Sequence, residues 1–226
     1  VLSPALRLWL RSQVEQVEEL HLKIMGRDRQ ILSGYIPGVL LSSRQAVYQG
    51  LHLGEVQLKG ERIRINLGQV LKGKPLRLLE PVQVSGEVRL EEADLKASLS
   101  SPLLSQALID LLATLLEANG LSNPSHILEN YQVNWQEVSL DAEQLTLMGT
   151  LTDREGKTTP VRIRAGLALV NGQILQLNPL QIDALPEWST VNLKEFQIDL
   201  GPDVELEQLS LASGILACGG RLLVRS

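Results

Sequence analysis

The side chains best suited to nucleophilic or metal chemistry in this sequence are three histidines and one cysteine. His21, His52 and His126 stand 31 and 74 residues apart and fall into no metal-ligand spacing. Cys218 precedes Gly219-Gly220, but no partner base can be named for it. It alternates with Leu216 in a strand-like pattern, which reads as a core position. As the single cysteine it cannot form an internal disulfide. Glu91, Glu92 and Asp94 suit an acid–base cluster or a Ca²⁺ site, but the acidic first turn of a helix explains them more simply. There is no G-x-S-x-G elbow, P-loop or dinucleotide fingerprint. The expectation is a protein that is not an enzyme and uses no metal or cofactor.

Asp110 is the most informative carboxylate, because of the element that carries it. In Ser101–Asn119, Ser101 is a natural N-cap, Pro102 fits the first helical position and Gly120 fits the position just past the end. Gln106, Asp110, Thr114 and Glu117 recur at helical spacing and draw one narrow polar stripe. Leucines and Ile109 cover most of the remaining surface. A helix apolar over so wide an arc needs a larger surface than one neighbouring helix to bury it. The rest of the chain reads mostly as strand, so a sheet curled around this helix is expected. At its length, with Asp110 in the middle, it does not read as a membrane span. Asp110 either faces solvent along the stripe or orients a ligand at the mouth of a groove.

Composition supports a globular chain with an aliphatic interior. Of 226 residues 44% are hydrophobic; 47 are leucine and only seven are aromatic. Such an interior suits acyl chains, and it also suits an ordinary leucine-rich core. The net charge of −5 conceals an asymmetry. Residues 1–77 hold 12 Lys or Arg against 6 Asp or Glu, whereas residues 78–226 hold 9 against 20. A basic first third favours an anionic partner. Its cations are scattered among strands without interleaved aromatics, which argues against nucleic acid and for a membrane surface.

Along the chain, Ser3-Pro4 predicts a first short helix with Leu6, Trp9, Leu10, Val14 and Val17 on its apolar stripe. It packs on the core or rests on a lipid headgroup layer. Arg7 and Arg11 interrupt the apolar residues near the start, so no secretory signal is expected in this stretch. From Leu20 the period becomes two, the sign of a half-buried strand. Gly34–Leu41, GYIPGVLL, reads as a bulged edge strand or a membrane-facing loop. Further alternating runs follow, with a basic turn at Lys72-Gly73-Lys74-Pro75. Asp153–Gly156 predicts a turn and Asn171-Gly172 a hairpin. Three segments, Glu55–Ile65, Glu137–Leu147 and Gln208–Cys218, share a pattern that repeated hairpins of one antiparallel sheet would explain. With no linker visible, residues 1–226 read as one domain.

Several stretches resemble the bacterial LmeA-like phospholipid-binding family. The resemblance lies in Tyr48-Gln-Gly-Leu-His-Leu-Gly54, Ile63-Arg-Ile-Asn-Leu67, Gly73-Lys-Pro-Leu-Arg-Leu78, Glu92-Ala-Asp-Leu95 and Ser101-Pro-Leu-Leu104. It implies an α+β fold like the tubular lipid-binding domains, with a long apolar helix wrapped by a highly curved antiparallel sheet. It also implies phospholipid binding in the cell envelope and brings no catalytic residues.

The expected function is therefore non-catalytic binding or transfer of phospholipid or another acyl-chain lipid at an anionic membrane surface. Leu104, Leu108, Leu111, Leu112 and Leu115 would line the groove. Arg62, Arg64, Lys72 and Lys74 would meet the headgroup, and Trp9, Ile36, Val39 and Leu40 would touch the membrane. The alternatives are a docking scaffold without a cavity, or a carrier of a pigment, quinone or polyprenyl chain.

Overall fold

A computed structural model describes residues 14–70, 72–183, 191–193 and 196–225. Two antiparallel sheets dominate it. The first joins β1 (Glu19–Met25), β2 (Tyr35–Tyr48), β3 (Leu51–Arg64), β4 (Val82–Glu91), β12 (Ile215–Val224) and β11 (Val204–Ala212), in that spatial order. The second runs β10 (Phe196–Asp199), β8 (Ile174–Asp183), β7 (Thr158–Asn171), β6 (Leu145–Thr152), β5 (Gln132–Leu140), with β9 (Val191–Leu193) also beside β8. The helices are α1 (Asp28–Leu32), α2 (Leu67–Val70), α3 (Glu92–Ser98), α4 (Pro102–Ala118) and α5 (Pro124–Leu128). The fold class is α+β.

The α4 helix forms where its end signals place it. Ser101 Oγ accepts from Leu104 N at 3.1 Å, and Pro102 occupies the first turn. Leu112 and Leu115 are 0% exposed and Leu116 is 1% exposed. They share one core cluster with Val138, Leu147, Ile163 and Ile182, which stand in register across β5, β6, β7 and β8. The helix is thus buried against the second sheet.

In the first sheet the period-two pattern separates two faces. One face carries the rows Leu20, Ser43, Val56, Val88, Cys218, Leu209 and Leu22, Leu41, Leu58, Gly86, Gly220, Leu206. The other carries His21, Ser42, Gln57, Glu87, Gly219, Gln208 and Lys23, Leu40, Lys59, Ser85, Arg221, Glu205. Backbone bonds join the two sheets. Gly214 N donates to Leu140 O at 2.7 Å and Glu92 N to Gly214 O at 2.9 Å, while Leu140 N donates to Glu92 Oε2 at 2.8 Å. Leu206 N donates to Gly172 O at 2.7 Å. Glu92 therefore caps a strand end. Asp94 Oδ2, buried, accepts from Glu91 N at 2.9 Å, so two of the three clustered acids do structural work at the start of α3.

Several expectations are corrected. The first helix was expected to run through Val17, but Glu15 and Gln16 pair with Val47 as an extended bridge. Residues 1–13 of that segment, Trp9 included, lie outside the described residues. Gly34–Leu41 is no loop: from Tyr35 it is strand β2, paired with β3, and β1 covers its other side only from Gly38 on, so only the first residues of the strand lie at an edge. Of the three echoing segments, Glu137–Leu147 and Gln208–Cys218 are hairpins, whereas Glu55–Ile65 falls within and just past the single strand β3. The hairpin at Asn171 does form, with Asn171 Oδ1 accepting from Gln173 N at 2.9 Å and Ile174 N at 3.0 Å. The turn at Asp153 closes the same way, Asp153 Oδ1 accepting from Glu155 N and Lys157 N.

Candidate functional site

The apolar face of the first sheet is built from aliphatic side chains that the fold leaves half-buried. Leu22, Val56 and Val82 are buried, whereas Leu20, Leu41, Leu58, Val84, Val88, Leu206 and Leu209 are only partly covered. Glycines at Gly60, Gly86 and Gly220 place gaps between them on the three central strands. At one end Leu211 and Leu216 continue this face into the cluster around α4. At the other end Ile36, Ile65 and Leu67 form a second cluster with Ile24, Val39, Ile63, Leu76 and Leu78. The sheet face thus runs between two closed apolar clusters.

The five helix leucines divide. Leu104, Leu108 and Leu111 are partly buried at the margin of the main cluster. Leu112 and Leu115, with no exposure, pack the core against the second sheet and border no open space. The polar stripe faces outward: Asp110 is exposed and accepts from Gln106 Nε2 at 2.9 Å. Both residues line an open cleft of about 750 Å³ with Gln49, Gly50 and Pro102.

The four headgroup candidates gather at the opposite end of the sheet. Arg64 pairs with Tyr35 at the start of β2, whereas Ser101, which caps α4, lies against Gly50 in the β2–β3 turn. The fourteen residues of β3 separate the two ends by about 45 Å at ~3.3 Å per residue. Arg64 Nε lies 3.4 Å from Glu80 Oε1, and its guanidinium sits 5.6 Å from the Tyr35 ring centroid. Arg62 is exposed with φ +53°. Lys72 and Lys74 are exposed in the turn after α2. Buried Asn66 fixes that turn: its Nδ2 donates to Pro75 O at 2.9 Å and its Oδ1 accepts from Arg77 N at 2.7 Å. Asn66 was not singled out by its sequence, although it is the fourth residue of the Ile63–Leu67 motif.

Of the membrane-contact candidates, Ile36 is 3% exposed in the second cluster and Val39 is half-buried beside it. Ile36 therefore touches no membrane in this conformation. Leu40 is 38% exposed, on the polar face between Lys23 and Lys59. That polar face carries its own shallow cleft of about 680 Å³, flanked by two smaller ones. None of these three clefts includes a helix leucine. His21 and His126 are exposed beside Glu19 and Glu129 respectively. Cys218 sits in the first apolar row opposite Val88, where burial pushes its thiol above the usual range.

The fold and this apolar face define an α+β protein whose partly covered aliphatic surface suits a hydrophobic chain. The sequence belongs to the LmeA-like phospholipid-binding family, whose model matches residues 1–221. No curated protein and no solved structure matches the chain.

Proposed function

We propose that the protein is a non-catalytic phospholipid binder that holds acyl chains on the apolar face of the first sheet and acts at a membrane surface. Family membership supports phospholipid as the ligand class. The observation that carries the location is a sheet face most of whose aliphatic side chains are only half-buried, running from Leu104, Leu108 and Leu111 on one side to basic residues on the other. Each CH₂ removed from water contributes about 0.8 kcal/mol, so two ordinary tails bind without specific polar contacts. Arg62, Arg64, Lys72 and Lys74 attract the phosphate. In this reading the sheet and α4 enclose the tails in the manner of a tubular lipid-binding domain, the chain works as one unit, and it needs no cofactor.

A second reading, a docking scaffold without a lipid cavity, is favoured by the complete burial of Leu112 and Leu115. One variant separates the two. Leu108→Trp fills the margin of the groove without entering the closed core. Uptake of a fluorescent short-chain phospholipid, presented as monomer, is expected to fall at least tenfold (about 1.4 kcal/mol or more) while thermal unfolding stays cooperative. Uptake equal to wild type in a folded Leu108→Trp protein contradicts the groove and favours the scaffold.

A further inference from the structure

We infer that the end of the first sheet remote from α4 is the docking surface, and that its partner is an anionic lipid bilayer. The inference rests on the lipid-binding reading only for its purpose. Two segments distant in sequence, residues 26–34 and 61–80, converge there. Ile65 N donates to Gly34 O at 2.9 Å, and Leu79 N donates to Arg64 O at 2.8 Å. Each segment carries near its end a leucine that finds no cover. Leu32 is 65% exposed and Leu79 is 62% exposed, the two most exposed large apolar side chains among the described residues. The same two segments hold seven Lys or Arg against three Asp or Glu, in a chain whose net charge is −5. Arg27 stands at the N-cap of α1 and Arg29 lies within it, while Arg62, Arg64, Lys72, Lys74 and Arg77 surround Leu79 along the chain; all seven are exposed.

Two projecting leucines inside a cationic collar match a bilayer in depth. Apolar tips reach the acyl boundary while cations stay at the phosphates. The surface is also pre-shaped, because Asn66 holds the Lys72–Lys74 turn through Pro75 and Arg77. This end borders the cluster of Ile36, Ile65 and Leu67, where the apolar sheet face begins, so a docked molecule would present that face to the lipid it takes up.

Flotation with vesicles of phosphatidylcholine mixed with phosphatidylglycerol, against vesicles of phosphatidylcholine alone, tests the inference on the full chain. The expected result is flotation with the anionic vesicles only, lost on raising salt. Leu32→Ser combined with Leu79→Ser, and separately Arg27→Glu combined with Arg29→Glu, each weaken it about tenfold or more. All four positions are exposed, and both variants are expected to retain monomeric phospholipid uptake and the wild-type melting temperature. Variants that float like wild type, equal flotation with neutral vesicles, or no flotation at all would each overturn the inference, the last favouring an acidic protein partner. Loss of monomeric uptake by wild type with flotation intact would remove the lipid-binding reading and leave the docking surface standing.

Discussion

Cys218 is a natural reporter of what lies on the apolar sheet face. Its side chain shares a row with Val56, Val88 and Leu209, and burial raises its thiol pKa. The reactive thiolate is therefore scarcer at neutral pH than in a free cysteine, and the relative deficit narrows only as pH rises past the ordinary thiol pKa. Maleimide labelling at pH 7 is expected to be slower than in the denatured chain. It is also expected to be several-fold slower with phospholipid bound than after solvent delipidation and refolding. Equal rates with and without lipid would contradict the placement of acyl chains beside Cys218. The helix leucines make the complementary point. Sequence spacing separates the polar stripe from the apolar arc, but within that arc Leu108 and Leu115 are chemically identical. Their different depths arise from where the second sheet presses on α4, which no local pattern contains.

At the scale of elements, one side chain adds to the backbone bonds that hold the loop between β3 and β4. Asn66 makes hydrogen bonds to Pro75 and Arg77 while buried. Asn66→Ala strands the Arg77 N–H and the Pro75 carbonyl at a cost of about 1–3 kcal/mol. The expected outcome is a lower denaturation midpoint, with faster amide exchange confined to residues 66–77. Unchanged exchange there would show that the basic turn is held by something else. Elements whose ends are marked by residue type were legible in advance: the capped α4, the Asn171 hairpin and the Asp153 turn. Elements set by distant partners were not. Residues 15–17 follow a helical pattern, yet Glu15 and Gln16 bond to Val47, which lies some thirty residues further on. Pro37, which lacks a donor, suggested a bulged edge strand or a loop. It sits where β1 has ended its pairing at Met25–Gly38, and opposite it Arg62 turns to positive φ between the pairs Ile36–Ile63 and Gly38–Glu61. The strand tolerates proline at that one irregular position.

For the whole molecule, the charge asymmetry of the sequence becomes a gradient in space. Seven basic residues of the first third, Arg27, Arg29, Arg62, Arg64, Lys72, Lys74 and Arg77, collect at the free end of the first sheet, and the acidic remainder of the chain includes the second sheet and the junction at Glu92. The candidate site was only partly legible. Its apolar helix and its cations could both be found in the sequence, but the roughly 45 Å between them could not. In the proposed reading, that separation gives the sheet face, rather than the helix alone, the main part in holding a chain. The most direct test is the mass of what the protein carries. Purified from a bacterial host, extracted with organic solvent and measured by mass spectrometry, the wild-type chain is expected to yield phospholipid in near-stoichiometric amount, and Leu108→Trp far less. A lipid-free extract from a folded wild-type sample, together with no uptake of added phospholipid, would contradict the account.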